Sequence, residues 1–375
     1  MNILILSWRG PGHPHAGGAE ESTHQHAKGW VKAGHSVTLF TSYYFGAKNE
    51  EIIDGVKIIR QGSQILGVHL KAFIWYVFGD HQKYDLIIDQ FHGIPFFTPL
   101  YIREKKLAFI HEVTKEVWNL NPWQYPLNLL PAIIGTIFEP LIFKVLYKKI
   151  PFMTVSSSTE KDLTDWGIPK KSITVIHNGF NNPDYFKNKK ESKKTVIYLG
   201  ALSKDKGIED ALIALRDLYE SYRNIQFWVV GKGEEHQLEY LKKKIRILGI
   251  EKVTFFFGFV SEKEKYDLLS RAHILINPSV REGWGLVVIE AASVGTPTVA
   301  YNVAGLRDSV VNGKTGLLCD SNPKALTDKI QYLLNNKKLY QYLSVNCLKR
   351  SKEFSWEKSV KQSLKLLETI SSSNS

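Results

Sequence analysis

The sequence is poor in cysteine: its two cysteines, Cys319 and Cys347, provide neither a disulfide framework nor the spacing of a zinc site. Unpaired thiols are typical of a reducing compartment. Residues 1–7 also lack the basic start and cleavage site of a signal peptide. The sequence therefore predicts a cytoplasmic chain without a structural metal.

The sequence also lacks an unbroken apolar run of membrane-spanning length. Residues 118–138 carry no charged side chain, but three prolines and several amides interrupt them. Aromatic and aliphatic side chains continue to Phe143, and Lys144, Lys148 and Lys149 follow. This pattern fits two structures equally, a segment at the surface of a membrane or a helix buried against its own domain. The aromatic members of the segment are Trp118, Trp123, Tyr125, Phe138 and Phe143.

Two common nucleotide-binding patterns are missing from the glycine-rich loop at residues 9–20. The loop has no G-x-x-x-x-G-K-[ST] sequence, and His15 stands where G-x-G-x-x-G requires its third glycine. The next predicted strand ends at Leu39-Phe40-Thr41-Ser42, without an acidic residue for the ribose of NAD. A P-loop NTPase and a dehydrogenase are both disfavoured.

Length and charge narrow the possibilities further. A chain of 375 residues, 43% hydrophobic and 23% charged, fits two globular domains of similar size. The net charge of +12 favours an acidic partner, which on charge alone is a nucleotide diphosphate, an anionic membrane or a nucleic acid.

Short apolar strands alternate with helical segments in both halves of the chain, which predicts two parallel, doubly wound α/β sheets. The strands predicted in the first half are 3–7, 36–41, 57–59, 86–89, 108–110 and 152–155. Those predicted in the second half are 196–199, 225–230, 253–257, 274–277, 298–300 and 316–318.

The most informative motif is a pair of glutamates, Glu282 and Glu290. Residues 273–277 before the pair are predicted to form a strand and residues 286–294 a helix, so that Glu282 falls in the connecting loop. Two glycines favour a loop whose amides face an anion at the helix N-terminus. A nucleotide sugar fits this layout, with Glu282 directed at hexose hydroxyls and Glu290 at ribose hydroxyls.

The segment continues through Gly295 into another short strand, and in this context it resembles the E-x7-E motif of the retaining glycosyltransferase family 4, the glycosyl transferases group 1. The resemblance implies a GT-B fold, in which two Rossmann-like parallel-sheet domains face each other across a cleft. The implied organisation is an acceptor-side domain at 1–182, a linker at 183–194, a nucleotide-sugar domain at 195–353 and a helix at 354–371 crossing back to the first domain.

Other motifs acquire expected roles through the same resemblance. Residues 200–207 correspond to the family's G-R-L-x-x-x-K-G sequence, in which Lys206 neutralises the departing diphosphate and Ala201 replaces the expected arginine. His111 is expected to contact the transferred sugar, with His92 as the second choice. The expected catalytic residues are His111, Lys206 and Glu282. The expected donor-binding residues are Gly17, Gly18, Lys206, Gly231, Phe259, Glu282, Gly283, Trp284, Gly285, Leu286 and Glu290. The acceptor-side residues are His92, His111 and Trp118.

The implied function is metal-independent, retaining transfer of a hexose from a nucleotide sugar to a saccharide acceptor. UDP-hexose is the first choice of donor and GDP-mannose the second, and the nucleotide sugar is a co-substrate, so no cofactor is expected. The acceptor is expected to be lipid-linked, with peripheral contact at an anionic membrane and no nucleic-acid partner. Two alternatives stay open. The chain could be a nucleotide-sugar epimerase or hydrolase of the same fold, or a nucleotide-binding protein that lost its catalytic activity together with the arginine that Ala201 replaces.

Overall fold

A computed structural model describes residues 1–120, 129–181 and 188–372 of the chain. The chain forms two compact units. The first contains Met1–Gly179 and the C-terminal helix that begins at Trp356, and the second contains Phe180–Ser355. The sequence analysis places the corresponding boundaries at residues 182, 194 and 353.

The first unit is built on an eight-stranded sheet with strand order β3-β4-β2-β1-β5-β6-β7-β8. Its strands are β1 (Asn2–Ser7), β2 (Ser36–Thr41), β3 (Glu50–Ile53), β4 (Val56–Arg60), β5 (Leu86–Phe91), β6 (Lys105–Ile110), β7 (Phe152–Thr154) and β8 (Ile173–Val175). Neighbouring strands are parallel apart from β3, which pairs antiparallel with β4. The parallel sheet predicted from the alternating pattern is therefore confirmed.

Strands β3 and β8 were not predicted. Strand β3 forms a hairpin with β4 through Asp54 and Gly55, whose φ angles of 51° and 83° match the turn that favours an Asp-Gly pair. That dipeptide was the available sequence signal. Strand β8 has only three residues, too few to show a period.

Helices cover both faces of this sheet. They are α1 (Gly18–Lys32), α2 (Gly67–Phe78), α3 (Leu129–Ile142), α4 (Ser157–Asp165) and α12 (Trp356–Ser372), with a π-helical turn (Phe143–Tyr147) after α3 and 3₁₀ turns at Thr98–Leu100, Lys115–Leu120 and Lys170–Ser172. The C-terminal helix α12 packs against α1, where Ser363 Oγ lies 2.9 Å from both His26 Nδ1 and Trp30 Nε1. Gly29 allows close packing here, because a Cβ on it would lie 2.3 Å from Val360.

The second unit has a six-stranded parallel sheet with strand order β11-β10-β9-β12-β13-β14, the order of a Rossmann fold. Its strands are β9 (Lys194–Leu199), β10 (Ile225–Val230), β11 (Thr254–Gly258), β12 (Ile274–Asn277), β13 (Thr298–Tyr301) and β14 (Gly316–Cys319). Its helices are α5 (Ile208–Ser221), α6 (Glu235–Ile247), α7 (Glu262–Arg271), α8 (Leu286–Ser293), α9 (Leu306–Ser309), α10 (Pro323–Asn335) and α11 (Lys337–Ser351), with 3₁₀ turns at Lys204–Lys206 and Glu251–Val253.

The described part of the expected linker belongs to the second unit. The Glu191 amide donates to the Arg271 carbonyl at 3.0 Å. Lys190 is held by the carbonyl of Ala272 at 2.7 Å and by the hydroxyl of Thr296 at 2.6 Å. Residues 188–193 therefore pack onto this unit, and residues 182–187 lie outside the described part of the chain.

Candidate functional site

The candidate donor site of the second unit lies where its strand order changes direction. Strands β9 and β12 are neighbours at the centre of the sheet, and the loops that follow them are residues 200–207 and 278–285. The carboxyl ends of parallel strands lie at the same edge, and ligands of open α/β sheets bind where such loops diverge. The two motifs that the sequence analysis treats separately are therefore adjacent in space.

Lys206 and Glu282 form an ion pair at the centre of this crevice. Lys206 Nζ lies 3.0 Å from Glu282 Oε1, and their side chains are 26% and 17% exposed. Ser279 Oγ donates to the same carboxylate oxygen at 2.8 Å. The structure thus brings together two of the three expected catalytic residues, both accessible to a ligand, and adds Ser279, which sequence reasoning missed.

Two glycines allow the loops around this ion pair to approach each other closely. Gly207 has a φ of +68°, and a Cβ on it would lie 2.0 Å from the Pro278 carbonyl oxygen. Gly305 has a φ of +76°, and a Cβ there would lie 2.0 Å from the carbonyl oxygen of Glu282. Because side chains disfavour both the angles and the contacts, glycine at these positions fixes the backbone around the pair.

Helix α8 begins at Leu286, shortly after Glu282 in the same loop, and the positive end of its dipole lies at this N-terminus. Gly285 is the N-cap residue with a φ of +77°, and no described side chain caps the helix. The loop before it includes Gly283 and Trp284, and the first helical residue is Leu286. The side chain of Trp284 is only 2% exposed and packs 5.1 Å from the Phe354 ring. Residues 283–286 therefore offer a ligand mainly backbone groups.

Glu290 is held farther along α8 by a lysine that the sequence analysis did not identify. Lys265 Nζ lies 2.7 Å from Glu290 Oε1 and 2.6 Å from Glu262 Oε1. Burial acts to lower the pKa of Lys265, but the two carboxylates outweigh it and raise that pKa. The Glu290 side chain is therefore held in place by this ion pair and is only 13% exposed. Lys265 comes from another helix, so spacing within the sequence gave no signal for it.

Gly231 and Phe259 follow neighbouring strands at the same edge of the sheet. The Gly231 amide donates to the Gly258 carbonyl at 2.8 Å, which joins the loops after β10 and β11. Phe259 is 74% exposed, and Lys232 Nζ lies 4.1 Å from the centre of its ring. An exposed aromatic ring beside a cation is a suitable surface for a nucleotide base.

In the first unit, the loop containing Gly17 and Gly18 is stabilised by Glu20. The Gly17 amide donates to Glu20 Oε2 at 2.6 Å, and Arg9 Nε lies 2.9 Å from Glu20 Oε1. Gly17 is the N-cap residue of α1, and Gly18 is its first residue. The expected contact of the Gly17 amide with a diphosphate would therefore have to compete with the Glu20 carboxylate.

His111 and His92 both follow strands at the carboxyl edge of the first sheet. Burial, reinforced by His26 and His92, lowers the pKa of His111 to about 3. His111 is consequently neutral at physiological pH and suited to hydrogen bonding rather than to proton donation. His92 stacks on Trp8 with ring centres 5.9 Å apart, and its Nδ1 lies 3.7 Å from Glu112 Oε1.

Trp118 and Phe143 pack within the first unit, which is one of the two alternatives that the sequence analysis left open for residues 118–143. The indole N–H of Trp118 donates to Glu139 at 2.8 Å, and a Cβ on Gly135 would lie 2.2 Å from its ring. This geometry assigns Trp118 to the packing of α3. Phe143 is fully buried, so its assignment to a membrane-contacting segment is wrong. Trp123 and Tyr125 lie outside the described residues.

Among residues 1–120, 129–181 and 188–372, no group of three or more histidine, cysteine or acidic side chains is arranged to hold a metal ion. The positive charges around the candidate donor site include those of Lys206 and Lys265 in the two ion pairs and that of Lys232 beside Phe259.

Comparison with protein families covers most of the chain. Residues 16–182 match the model described as Glycosyltransferase Family 4, and residues 182–350 match the model described as Glycosyl transferases group 1. The chain belongs to the group 1 glycosyltransferases.

Curated relatives of this glycosyltransferase differ in how much of their length is matched. A glycogen synthase of Mycobacterium tuberculosis is 33% identical over 171 residues, which is 44% of this chain and 41% of that protein. The chain thus spans less than half of that relative. A D-inositol 3-phosphate glycosyltransferase of Corynebacterium urealyticum is 24% identical over 412 residues, covering 99% of this chain and 94% of that protein.

Solved structures support the two-domain GT-B fold of this glycosyltransferase. A sucrose-phosphate synthase from Thermosynechococcus elongatus matches with a TM-score of 0.80 and 19% identity over 99% of both chains. Anabaena HepE, solved with UDP and glucose, matches with a TM-score of 0.73 and 19% identity over 98% of this chain and 100% of its own. At these identities the likeness establishes the fold.

This glycosyltransferase departs from its family pattern at Ala201. The Ala201 carbonyl accepts the Tyr198 hydroxyl at 2.6 Å, and the same hydroxyl lies 3.3 Å from the carbonyl oxygen of Lys206. The tyrosine thus ties the two ends of the turn together. Lys204 is exposed in the same 3₁₀ turn and is the nearest candidate in sequence to supply the charge of the replaced arginine.

Proposed function

We propose that this glycosyltransferase transfers a hexose from a nucleotide sugar to a saccharide acceptor, with retention of configuration and without a metal ion. The observation that carries the proposal is the Lys206–Glu282 ion pair beside the N-terminus of α8. This arrangement combines a cation and helix amides for a diphosphate with a carboxylate for sugar hydroxyls. The UDP and glucose in the HepE structure support a donor of this class.

The proposed donor contacts divide between the two glutamates. Lys206 and the first amides of α8 bind the diphosphate and stabilise the charge that develops as the anomeric bond breaks. Glu282 binds hexose hydroxyls, and Glu290, held by Lys265, binds ribose hydroxyls. Gly231 and Phe259 lie beside the base. Retention follows from attack on the face that the diphosphate leaves, a step inferred from the family pattern.

The first unit supplies the proposed acceptor residues, His111 and His92. The low pKa of His111, about 3, leaves a neutral imidazole that can accept or donate a hydrogen bond to a sugar hydroxyl. The proposed acceptor is a lipid-linked saccharide at the cytoplasmic face of the membrane. The net charge of +12 supports this choice, because anionic lipids attract basic proteins.

The direct test is a screen of nucleotide sugars by calorimetry, beginning with UDP-glucose, UDP-galactose and GDP-mannose. We expect a UDP-hexose to bind most tightly. The same donors are then incubated with lipid-linked saccharides, and the products are separated by chromatography. A glycosylated lipid with the donor's anomeric configuration supports the proposal. Donor isomerisation or hydrolysis that acceptors do not alter indicates an epimerase or hydrolase, and binding without any product indicates decayed catalysis.

A further inference from the structure

Helices α2 and α3 of the first unit depart from the usual arrangement of a helix on a sheet, since many of their large apolar side chains are exposed. The buried residues of α3 are Ala132, Gly135 and Glu139. Its exposed side includes Ile133, Ile134, Ile137, Phe138 and Leu141. A surface helix of a globular protein normally buries its large apolar side chains and exposes polar ones.

Helix α2 shares this arrangement in part, because its Trp75 and Tyr76 pack against the core of the sheet. It buries the small side chains of Val68 and Ala72. The side chains exposed along it include Leu70, Phe73, Ile74, Val77 and Phe78.

Both helices cover the same face of the first sheet. In strand β5, Ile87 packs in the cluster that includes Val68 and Ala72 of α2. Phe91 packs with Phe143 at the end of α3. Residues an even number of positions apart in a strand point to the same face, so the two outward surfaces belong to one side of the unit. The turn at Thr98–Leu100 packs on the π-helical turn after α3, and Leu100 is 65% exposed. The next residue, Tyr101, contacts Phe73 of α2 with ring centres 5.0 Å apart.

The exposed charges on these two segments are all positive. Residues 61–78 contain no acidic residue, and the single acid of residues 129–149 is Glu139. Glu139 faces inwards, where it accepts the Thr114 amide at 2.8 Å. Lys71 and Lys144 are exposed, and Lys144 shares a helical stripe with the exposed Leu141 and Val145.

An 18-residue window of the helix Leu129–Tyr147 has a mean hydropathy of 1.8 with 22% of the window buried, and this is the one described helix whose length and composition would suit a membrane span. Its inner side is nevertheless attached to its own unit. Phe143 and Tyr147 are fully buried in the sheet core, and Glu139 binds backbone amides. A helix packed on its own sheet in this way presents one side to lipid rather than crossing the bilayer.

We propose that the outward sides of α2 and α3 form a single docking surface for an anionic lipid bilayer. The apolar side chains enter the interface, and Lys71 and Lys144 contact the headgroups. A second copy of the chain is a poorer partner, because two identical surfaces would bring lysines of like charge together. The inference deepens the proposed function and rests on its lipid-linked acceptor, which such a surface would hold at the membrane.

The test uses the full-length protein and sedimentation with phosphatidylcholine vesicles that contain about 30% phosphatidylglycerol, an anionic lipid. Two matched pairs remove apolar side chains one helical turn apart: Leu70→Ser with Ile74→Ser on α2, and Ile133→Ser with Ile137→Ser on α3. The control is Ile247→Ser with Val345→Ser, which are exposed in the second unit. Because each pair removes two inserted side chains, we expect each to weaken partitioning about tenfold or more and the control to leave it unchanged.

Charge reversal provides a second set of variants that does not alter packing, for use if a serine pair reduces thermal stability. Lys71→Glu with Lys144→Glu should also release the protein from anionic vesicles. The proposal is wrong if the wild type stays in solution, if the α2 variants bind like the wild type, or if sedimentation without lipid shows a dimer that the serine pairs dissociate.

Calorimetry with the nucleotide sugar on the same variants separates this inference from the proposed function. Donor binding without vesicle binding rejects the docking surface alone, whereas vesicle binding without donor binding rejects the transferase proposal alone.

Discussion

At the residue scale, each of the two glutamates proposed to bind the donor is paired with a lysine, and the two pairs differ in their surroundings. Glu282 is in the crevice loop, whereas Glu290 is enclosed by α7 and α8. We expect Glu290→Gln to weaken donor binding about tenfold with a smaller effect on kcat, and Glu282→Gln to lower kcat with little effect on donor affinity. Calorimetry and steady-state kinetics measure the two quantities. Wild-type values for both variants would reject the donor-site assignment.

Lys206 is the cation proposed to stabilise the leaving diphosphate. Lys206→Ala should lower kcat about 10²-fold, by analogy with the removal of one preorganised charge-stabilising group. Lys204→Ala is the matched control, because Lys204 is exposed in the same turn. A larger loss of turnover in the control variant would transfer the role to Lys204.

Lys190 gives the second unit a dependence of stability on pH. Burial lowers its pKa from 10.5 to about 7. Between these values the unfolded chain binds a proton that the folded chain has released, so unfolding becomes less favourable as the pH rises. Relative to Lys190→Met, the wild type should therefore gain stability between about pH 7 and pH 10. Thermal melts of both proteins across this pH range measure the change. The same dependence of melting temperature on pH in both proteins would show that Lys190 keeps its proton in the folded state.

At the element scale, the loop after β9 depends on Gly207. Gly207→Ala combines a left-handed backbone with a Cβ 2.0 Å from the Pro278 carbonyl oxygen. Gly249 has the same φ of +68°, and a Cβ on it would have no neighbour within 4 Å. Gly249→Ala therefore measures the loss of stability that comes from the backbone angle alone. We expect the control to cost about 1–2 kcal/mol and Gly207→Ala to cost clearly more and to lower donor affinity. Denaturant titrations measure the stability of both variants, and calorimetry measures their donor affinity. Equal losses of stability in the two variants would mean that the loop after β9 shifts to accommodate the new Cβ.

The sequence was sufficient to predict most elements and the separate site motifs. Strands 36–41, 225–230 and 274–277 have the predicted bounds, because runs of apolar residues between turn signals define buried parallel strands. The hairpin strand β3 was missed since half of its residues are charged. Lys265 and Ser279 were missed for a different reason: their roles arise from contacts between elements, which periodicity does not report. The outward surface of α2 could not be predicted either, because the sequence of a mainly apolar helix does not indicate which side is buried.

At the scale of the whole molecule, the proposed chemistry depends on protein cations. The described residues contain no cluster suited to a metal ion, and lysines occupy the donor site. We expect turnover to be unchanged in excess EDTA and after added Mg²⁺, and to fall with rising salt when anionic vesicles carry the acceptor. Loss of donor turnover in EDTA that Mg²⁺ restores would contradict the metal-free mechanism.

The two buried cysteines allow the opening of the second unit to be measured by thiol labelling. Cys319 and Cys347 are the only thiols in the sequence, both lie in that unit, and burial raises each pKa to about 12. Since thiolates rather than thiols react with alkylating reagents, modification of the native protein must wait for that unit to open. Cys319 ends strand β14 and Cys347 lies on α11. A comparison of their labelling rates therefore shows whether this strand and this helix open together. If the donor binds only the folded unit, both labelling rates fall with the fraction of protein that is free of donor. A titration with the donor then yields its dissociation constant without any assay of transfer.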